Sequence, residues 1–560
     1  MKHILLIIIL LISNLTFSQL SNKHWLPPLH ANQDAASYIA DHYVYISTPE
    51  PIPFSVTVTN GAGTPVNGSP FTISQGNPVR VPVGNGQNTN MFIAKPLVNI
   101  VNSDKGLILE GSKDFYASFR VNAGNHAEFL SSKGRTGIGN VFRLGSLPQN
   151  FSGSIRNFVS SFMATEDNTT VQLSDYNTNV VFESGAGDIT DNIQNFTLNK
   201  GQSVVVSGYM TTGANFTGFV GALLTSDKPI AVTTGNATGG MGPAEDGQDI
   251  NLDQIVPVEQ VGKEYVIVKG NGSDVTELPL VIAHEDNTQI FVNGNATPIA
   301  TLNGGDYFLI PTVNFQGSTT NKNMYITGDK DFYLYQIVAG STSDATSGFY
   351  FIPPVNCFWQ KSVDAISDYN KIGNKDYLQS EIIVITEASA TVTVNNIATT
   401  AVANPVTGNS LWVSYRVNGL PAGDVKIEST GALAVGVFGA SGAAGFGGYF
   451  SGFGSLPKDS QTTICSNSIV DLFDRIPGNP ETGGTWSYNG IDRIPNNGLF
   501  DPAVDPIGIY LYTFTKTCDG IVRQYPISIE VLPIQVGPFA GVSSTKNYCT
   551  YDTSVNLFTL

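Results

Sequence analysis

One ten-residue phrase occurs twice in this chain, as ATEDNTTVQL at 164–173 and as AHEDNTQIFV at 283–292. In each copy an apolar run enters Glu-Asp-Asn-Thr and an alternating run leaves it. That is the pattern of a β-hairpin whose turn is made by Asp and Asn. A second phrase repeats alongside it, KDFY at 113–116 and 330–333, with a looser DKPIAV at 227–232 between them. Lys113, Lys228, Lys330 and Gly431 are spaced by 115, 102 and 101 residues. A period of about 100 residues suits whole small β-domains better than the shorter solenoid or propeller repeats.

Four related modules follow from this spacing, at about 41–126, 155–240, 263–354 and 378–450. The second carries a further predicted hairpin, FTLNKGQSVVVSG at 196–208. The fourth is the most diverged: Glu387 to Ala390 replace the EDNT corner, and Thr430-Gly431 replace the Asp-Lys turn. The fold class expected is all-β, a tandem array of β-sandwich-like modules. Spacing is compatible with a row and with four modules closed around an axis.

Composition supports strands over helices. Charged residues make up 13% of the 560, and Gly (58) and Pro (30) are abundant, whereas helices favour Ala, Leu, Glu and Lys. The net charge of −17 would repel phosphate backbones and anionic lipid, so neither nucleic acid nor a bare membrane is an expected partner. Residues 1–19, MKHILLIIILLISNLTFSQ, have a basic start, a short apolar run and a small residue near the end. This is the layout of a secretory signal peptide, too short to span a bilayer. The mature chain, 20–455 and beyond, is therefore expected outside the cytoplasm, where disulfides persist.

Beyond the Gly-rich 439–454 the composition changes. Residues 460–533 read as a compact Ig-like β-sandwich with Trp486 for its core, and 534–560 restart the same opening. A lone first strand with an unpaired edge implies an array that continues past Leu560. Cys465 and Cys518 bracket the unit. A disulfide between them is expected, worth about 4 kcal/mol in the loop-entropy model, with Cys357 unpaired and buried.

Few residues suggest chemistry. Asp249, Asn251 and Asp253 copy the first three oxygen positions of a calcium loop, but Gln254 stands where the loop needs Gly and Gln260 where it needs Glu. A solvated inter-module loop competes with calcium there. Glu166, Asp167, Glu285 and Asp286 could face a cation, but backbone bonding explains such turns. His24, His30 and His42 match no zinc spacing. Trp25, Trp359 and Trp412 could stack on sugar rings or fill a core. No nucleophile, zinc-protease or phosphate-loop phrase occurs in the sequence, so no catalytic residue is assigned and no cofactor beyond calcium is suggested.

Several phrases together resemble a known family, the module at the N-terminus of the IgG Fc-binding protein and of large secreted proteins of gliding Bacteroidetes. They are HWLPPLHA (24–31), YVYISTP (43–49), the EDNT corners, SDKPIAV (226–232), DQIVPVEQVGKEYVI (253–267) and GFYFIPPVNCF (348–358). Residues 465–531 are similar to the Ig-like repeats of the same surface proteins, with their Cys, GGTW, FDP and Tyr-x-Tyr-x-Phe landmarks. The resemblance implies gliding-associated secretion and outer-surface attachment through a further C-terminal domain. The function expected is a secreted, surface-displayed, non-enzymatic adhesin that binds an extracellular glycan or protein. A secreted carbohydrate-active enzyme with an inter-module site, or a structural surface component, are the alternatives. Fc binding itself has no residue signal.

Overall fold

The computed structural model describes residues 19–31, 39–86, 88–149, 153–241, 248–318, 320–339, 346–442, 444–453, 460–466, 469–476, 483–493, 498–515 and 522–532. Residues 1–18 of the predicted leader and the restarted repeat at 534–560 lie outside them. Two compact units are present, Phe17–Gly454 and a second that takes in Ser455–Leu560. The fold is all-β, with tandem sandwich-like modules in the first unit.

The repeated phrases do not make hairpins. In the second module Gly153–Ala164 runs into EDNT and continues onward as Thr169–Ser174. Both arms pair antiparallel with one long strand, Leu223–Gly239, so that Ala164 lies opposite Ile230 and Val171 opposite Ser226. The arms pair with that strand and not with each other. EDNT is thus a kink between two stretches that keep their direction. The hairpin expected at 196–208 is corrected in the same way, because Gln194–Leu198 pairs with one arm and Ser203–Met210 with the other. Register along the long strand skips between Thr225 and Ile230, which places Asp227 and Lys228 on a bulge within a strand and not in a turn. Three neighbouring passes therefore bend at one level. A bulge bends its strand and sharpens the local twist, and a shared bend folds one sheet over into both layers of a sandwich.

The scheme recurs. Ile39–Ser47 and Phe54–Asn60 share the long strand Leu107–Ala123, and Leu280–Ala283 and Thr288–Val292 share Asn321–Ala339. In the fourth module the long strand is broken at Thr430-Gly431 into Val425–Ser429 and Leu433–Ser441. Each module opens with an edge strand on the first half of its long strand. In the first, second and fourth these are Ser21–Leu26, Ile138–Arg143 and Ser362–Ile366, one strand ahead of where the sequence repeat starts.

The two repeated phrases are bonding partners. Asn168 and Asn287 sit at φ 53° and 57°, a left-handed conformation that Asn tolerates better than most residues. Thr169 and Thr288 donate back to the carbonyls of Glu166 and Glu285 at 2.8 and 2.7 Å. Across the kink, Asp227 accepts from the N–H of Thr170 (2.7 Å) and Asp329 from that of Gln289 (2.8 Å). Lys228 and Lys330 donate to the carbonyls of Asp167 and Asp286 at 2.5 and 2.6 Å. In the fourth module the hydroxyl of Thr430 takes the same place, accepting from the N–H of Thr391 at 2.9 Å.

Each long strand then reverses into a return strand: His126–Ser131, Asp249–Ile255, Thr346–Phe351 and Ala444–Tyr449. The return strand of each module packs on those of its two neighbours, and the fourth packs on the first. The modules thus close into a ring about an axis of four strands, the arrangement that spacing left open. Apolar burial follows the same closure. The first core joins Val44, Ile46, Val56 and Leu109 to Val159, Val205 and Leu252 of module two. The fourth joins Ile382, Val384 and Val435 to Tyr116 and Phe129 of module one. Each such side chain contributes about 1.5–3 kcal/mol on leaving water. Arg120, 1% exposed, locks module four to module one by donating to the carbonyls of Ser367, Asp368 and Lys371 at 2.6, 2.7 and 2.8 Å.

The second unit has a five-stranded sheet ordered Ser460–Cys465, Val522–Leu532, Ile509–Thr515, Thr485–Tyr488, Ile491–Asp492, and a separate pair, Val470–Asp471 with Leu499–Phe500. Trp486 is buried, its ring centroid 5.0 Å from that of Tyr512, the core role expected for it. Cys465 ends the first of these strands, while Cys518 lies outside the described residues. Cys357 is disulfide-bonded, which corrects the expectation of an unpaired thiol.

Candidate functional site

Polar chemistry in the ring collects at the axis and at the module junctions. The axis arises because a return strand pairs along one edge and leaves the other edge's N–H groups without a strand partner. Buried acids meet those donors. Glu128 Oε1 accepts from the N–H groups of Phe129 (2.9 Å) and Gly447 (3.1 Å), and its Oε2 from Leu252 (3.3 Å) and Phe349 (3.2 Å). One carboxyl thereby holds backbone from all four modules. Asp249 accepts from Ala127 (2.7 Å), Ile250 (2.8 Å) and Gly445 (3.1 Å). Asp253 accepts from Gln254 (2.8 Å), Phe351 (3.1 Å) and the Lys133 ammonium (2.8 Å).

Burial dominates the ionisation of these groups. It pushes the Glu128 carboxyl well above the usual range and the Asp249 carboxyl up to about 6, against the opposing pull of their N–H donors and, for Asp249, of His126. The His126 ring lies 3.6 Å from Asp249. Burial lowers its pKa, but the carboxylate outweighs that and the net shift is upward.

Asp249, Asn251 and Asp253, predicted in a loop at calcium-ligand spacing, instead alternate along one buried strand. Period two puts them on one face of it. The Asn251 amide donates to the carbonyls of Gly239 and Asp249 at 3.0 and 2.7 Å. Among the described residues no group of three or more His, Cys, Asp or Glu is arranged to hold a metal ion. Glu166, Asp167, Glu285 and Asp286 belong to the kinks. The three N-terminal histidines have separate settings. His24 bonds Ser132 and the carbonyl of Phe115 at 2.9 Å each, His30 bonds the carbonyl of Ile93 at 2.8 Å and lies 3.5 Å from Glu183, and His42 stacks on Phe92. Trp359 and Trp412 pack edge-to-face, 5.2 Å apart, in the interior.

Glu128 and Lys133 escaped the sequence reading, although a signal existed. HAEFLS and DINLDQI set acids inside apolar runs, and an acid on a buried strand requires partners.

Among the described residues, clefts open at two junctions between consecutive modules. Between the second and third, a cleft of ≈ 480 Å³ is lined by Asp175, Tyr176, Asn177, Thr217, Asp306 and Tyr307. Behind it Arg143 pairs with Asp175 and donates to the carbonyls of Gly221 (3.0 Å) and His284 (3.5 Å), bracing the junction. Between the third and fourth, a smaller cleft of ≈ 280 Å³ is lined by Lys269, Asn271, Lys322, Glu381, Arg416 and Asn418. Here Arg416 grips both oxygens of Glu381 at 2.7 and 2.9 Å, the fork geometry that guanidinium favours.

A family model described as IgGFc binding protein matches residues 127–439, from the return strand of module one to the long strand of module four and more than half of the chain. Among solved structures, the chain aligns with the N-terminal eight Ig domains of Down Syndrome Cell Adhesion Molecule isoform 1.30.30 at 8% identity and a TM-score of 0.13, covering 92% of this chain and 72% of that one. It aligns with the N-terminal four Ig domains of Dscam1 isoform 8.4 at 10% identity and a TM-score of 0.12, covering 67% and 100%. Scores this low carry no inference about arrangement or role. No curated protein matches the chain.

Proposed function

The chain belongs to the IgGFc binding protein family, and on that premise we propose that it is a secreted, surface-displayed, non-enzymatic binding protein whose ring presents the clefts between modules to an extracellular protein or glycan. The second unit would serve as an Ig-like spacer. The observation that supports this most is the division of labour among the acids. Glu128, Asp249 and Asp253 are spent on backbone N–H groups at the axis, whereas Asp306 and the Arg143-paired Asp175 line an open cleft with Asn177, beside Tyr176 and Tyr307. Tyrosine rings flanked by amide and carboxylate groups suit recognition of amphipathic surfaces.

Binding of the purified chain to immobilised glycans, to the Fc fragment of IgG and to other extracellular proteins tests the reading. A ligand lost on Tyr307→Ala, with the ring's unfolding midpoint unchanged, supports it. Silence across all these surfaces sinks it. The rival, glycoside cleavage, draws on one fact: Asp175 and Asp306 line the same cleft, and glycosidases work with paired carboxyls. Release of reducing sugar that stops on Asp306→Asn would favour the rival.

A further inference from the structure

Lys133 lies just past the first return strand and Asp253 on the second, and their side chains are both 0% exposed with Nζ 2.8 Å from Oδ2. Nothing about this pair is loose. The Lys133 backbone N–H donates to Gln254 Oε1 at 2.6 Å, fixing the lysine stem beside the residue that follows Asp253. The ammonium sits 4.6 Å from the centre of the Phe453 ring and donates to Ser131 Oγ at 2.7 Å. That hydroxyl in turn donates to the carbonyl of Tyr449 at 2.7 Å. The Asp253 carboxyl receives one backbone N–H on each oxygen, from Gln254 at 2.8 Å and from Phe351 at 3.1 Å.

Two properties follow. Burial lowers the pKa of the lysine and raises that of the aspartate, so moving one proton within the pair yields a neutral amine beside a neutral acid. The two N–H groups are also placed to hold negative charge developing on a carboxyl oxygen, the arrangement that stabilises tetrahedral intermediates of acyl transfer. Reactants held at contact distance gain the advantage of an intramolecular reaction.

We propose that Lys133 and Asp253 condense into an internal amide, so that the ring carries a covalent cross-link between its first and second modules. The lone pair of the neutral Nζ attacks Cγ of the protonated carboxyl, and the C=O electrons move onto the oxygen facing a backbone N–H. The surplus proton on nitrogen passes directly to the departing hydroxyl oxygen, Oδ2, which lies 2.8 Å from Nζ. The C–O bond breaks, one water leaves, and the carbonyl re-forms as an amide. One N–C bond replaces one C–O bond, and no oxidant or further reactant is required.

The test is peptide mapping of the purified full chain after reduction and digestion with trypsin. The expected product is peptide 121–135, uncut at Lys133, joined to the peptide that contains Asp253, at a mass about 18 Da below their sum. Recovery of both as separate linear peptides, with cleavage after Lys133, overturns the proposal and leaves a plain buried ion pair. Lys133→Arg keeps the charge and cannot form the amide. Its intact mass, corrected for the substitution, should exceed that of the native chain by about 18 Da, and equal corrected masses would again overturn the proposal. Because the native map decides alone, a variant that fails to fold does not blur the result.

Discussion

Glu128 Oε1 accepts the backbone N–H of Gly447 at 3.1 Å, across 319 residues of sequence. That bond joins the first return strand to the last, and it forms only if modules two and three bring the chain round. The acids on the axis do for four strand edges what a further strand would do in an open sheet.

Removing Glu128 should therefore damage the ring as a whole. Glu128→Ala orphans N–H groups at Leu252, Phe349 and Gly447 in three different modules. Leaving three buried N–H donors without an acceptor, at about 1–3 kcal/mol each, costs about 3–5 kcal/mol or more. The ring's transition in urea should move by that amount, and a shift within about 0.5 kcal/mol would show that the axis is not held this way.

The junction between modules two and three should reject any side chain at Gly221. A methyl there would meet the carbonyl oxygen of Gly305, at φ +85°. Gly63 has a similar φ, +80°, with open space around it. Gly63→Ala should cost about 1–2 kcal/mol from backbone strain alone. Gly221→Ala should cost a further ~1–3 kcal/mol of overpacking, and thermal unfolding of the pair measures the difference.

Acid should weaken the ring through His42. Its ring is 1% exposed and stacked on Phe92, 5.4 Å away, and neither nitrogen has a hydrogen-bond partner among the described residues. Burial lowers its pKa to about 4, against about 6.5 in the unfolded chain. Between those values the unfolded state binds the extra proton, so this group's contribution is whole above pH 6.5 and is lost as pH falls through 4. The loss amounts to about 3 kcal/mol. His42→Phe keeps an aromatic ring on Phe92 and should gain on the native chain by that amount between pH 7 and pH 4. Parallel pH profiles for the two proteins would refute this assignment.

The third-module kink should depend on Asn287 as a conformer. At φ 57°, Asn287→Ala should destabilise by about 1–2 kcal/mol while Asn287→Gly stays near neutral. Equal effects in chemical unfolding would mean that the side chain, and not the left-handed backbone, is what the kink requires.

Local chemistry made much of this legible. The Asp-Asn corner signalled a bend held by local backbone bonding, and one occurs at each copy, with Asn168 and Asn287 left-handed and Thr169 and Thr288 bonding back. Trp486 was recognisable as core from its place among alternating aromatics. The hairpin reading failed because an Asx corner sets only a bend. Whether the two arms then bond each other or a third strand depends on Leu223–Gly239, which arrives about 50 residues later. Asp249 and Asp253 were read as solvated for a related reason: an acid in a strand looks exposed until its donors, here on Gly445 and Phe351, are in view.

The sequence by itself determined the strand content, the number of copies and the place of each bend, because those rest on period-two burial, turn-forming residues and repetition along the chain. The tertiary structure alone decided that the copies form a ring and that its acids belong to the axis. Ring closure joins residues hundreds of positions apart, and a buried carboxyl is stable there only once backbone N–H groups from four separate modules converge on it.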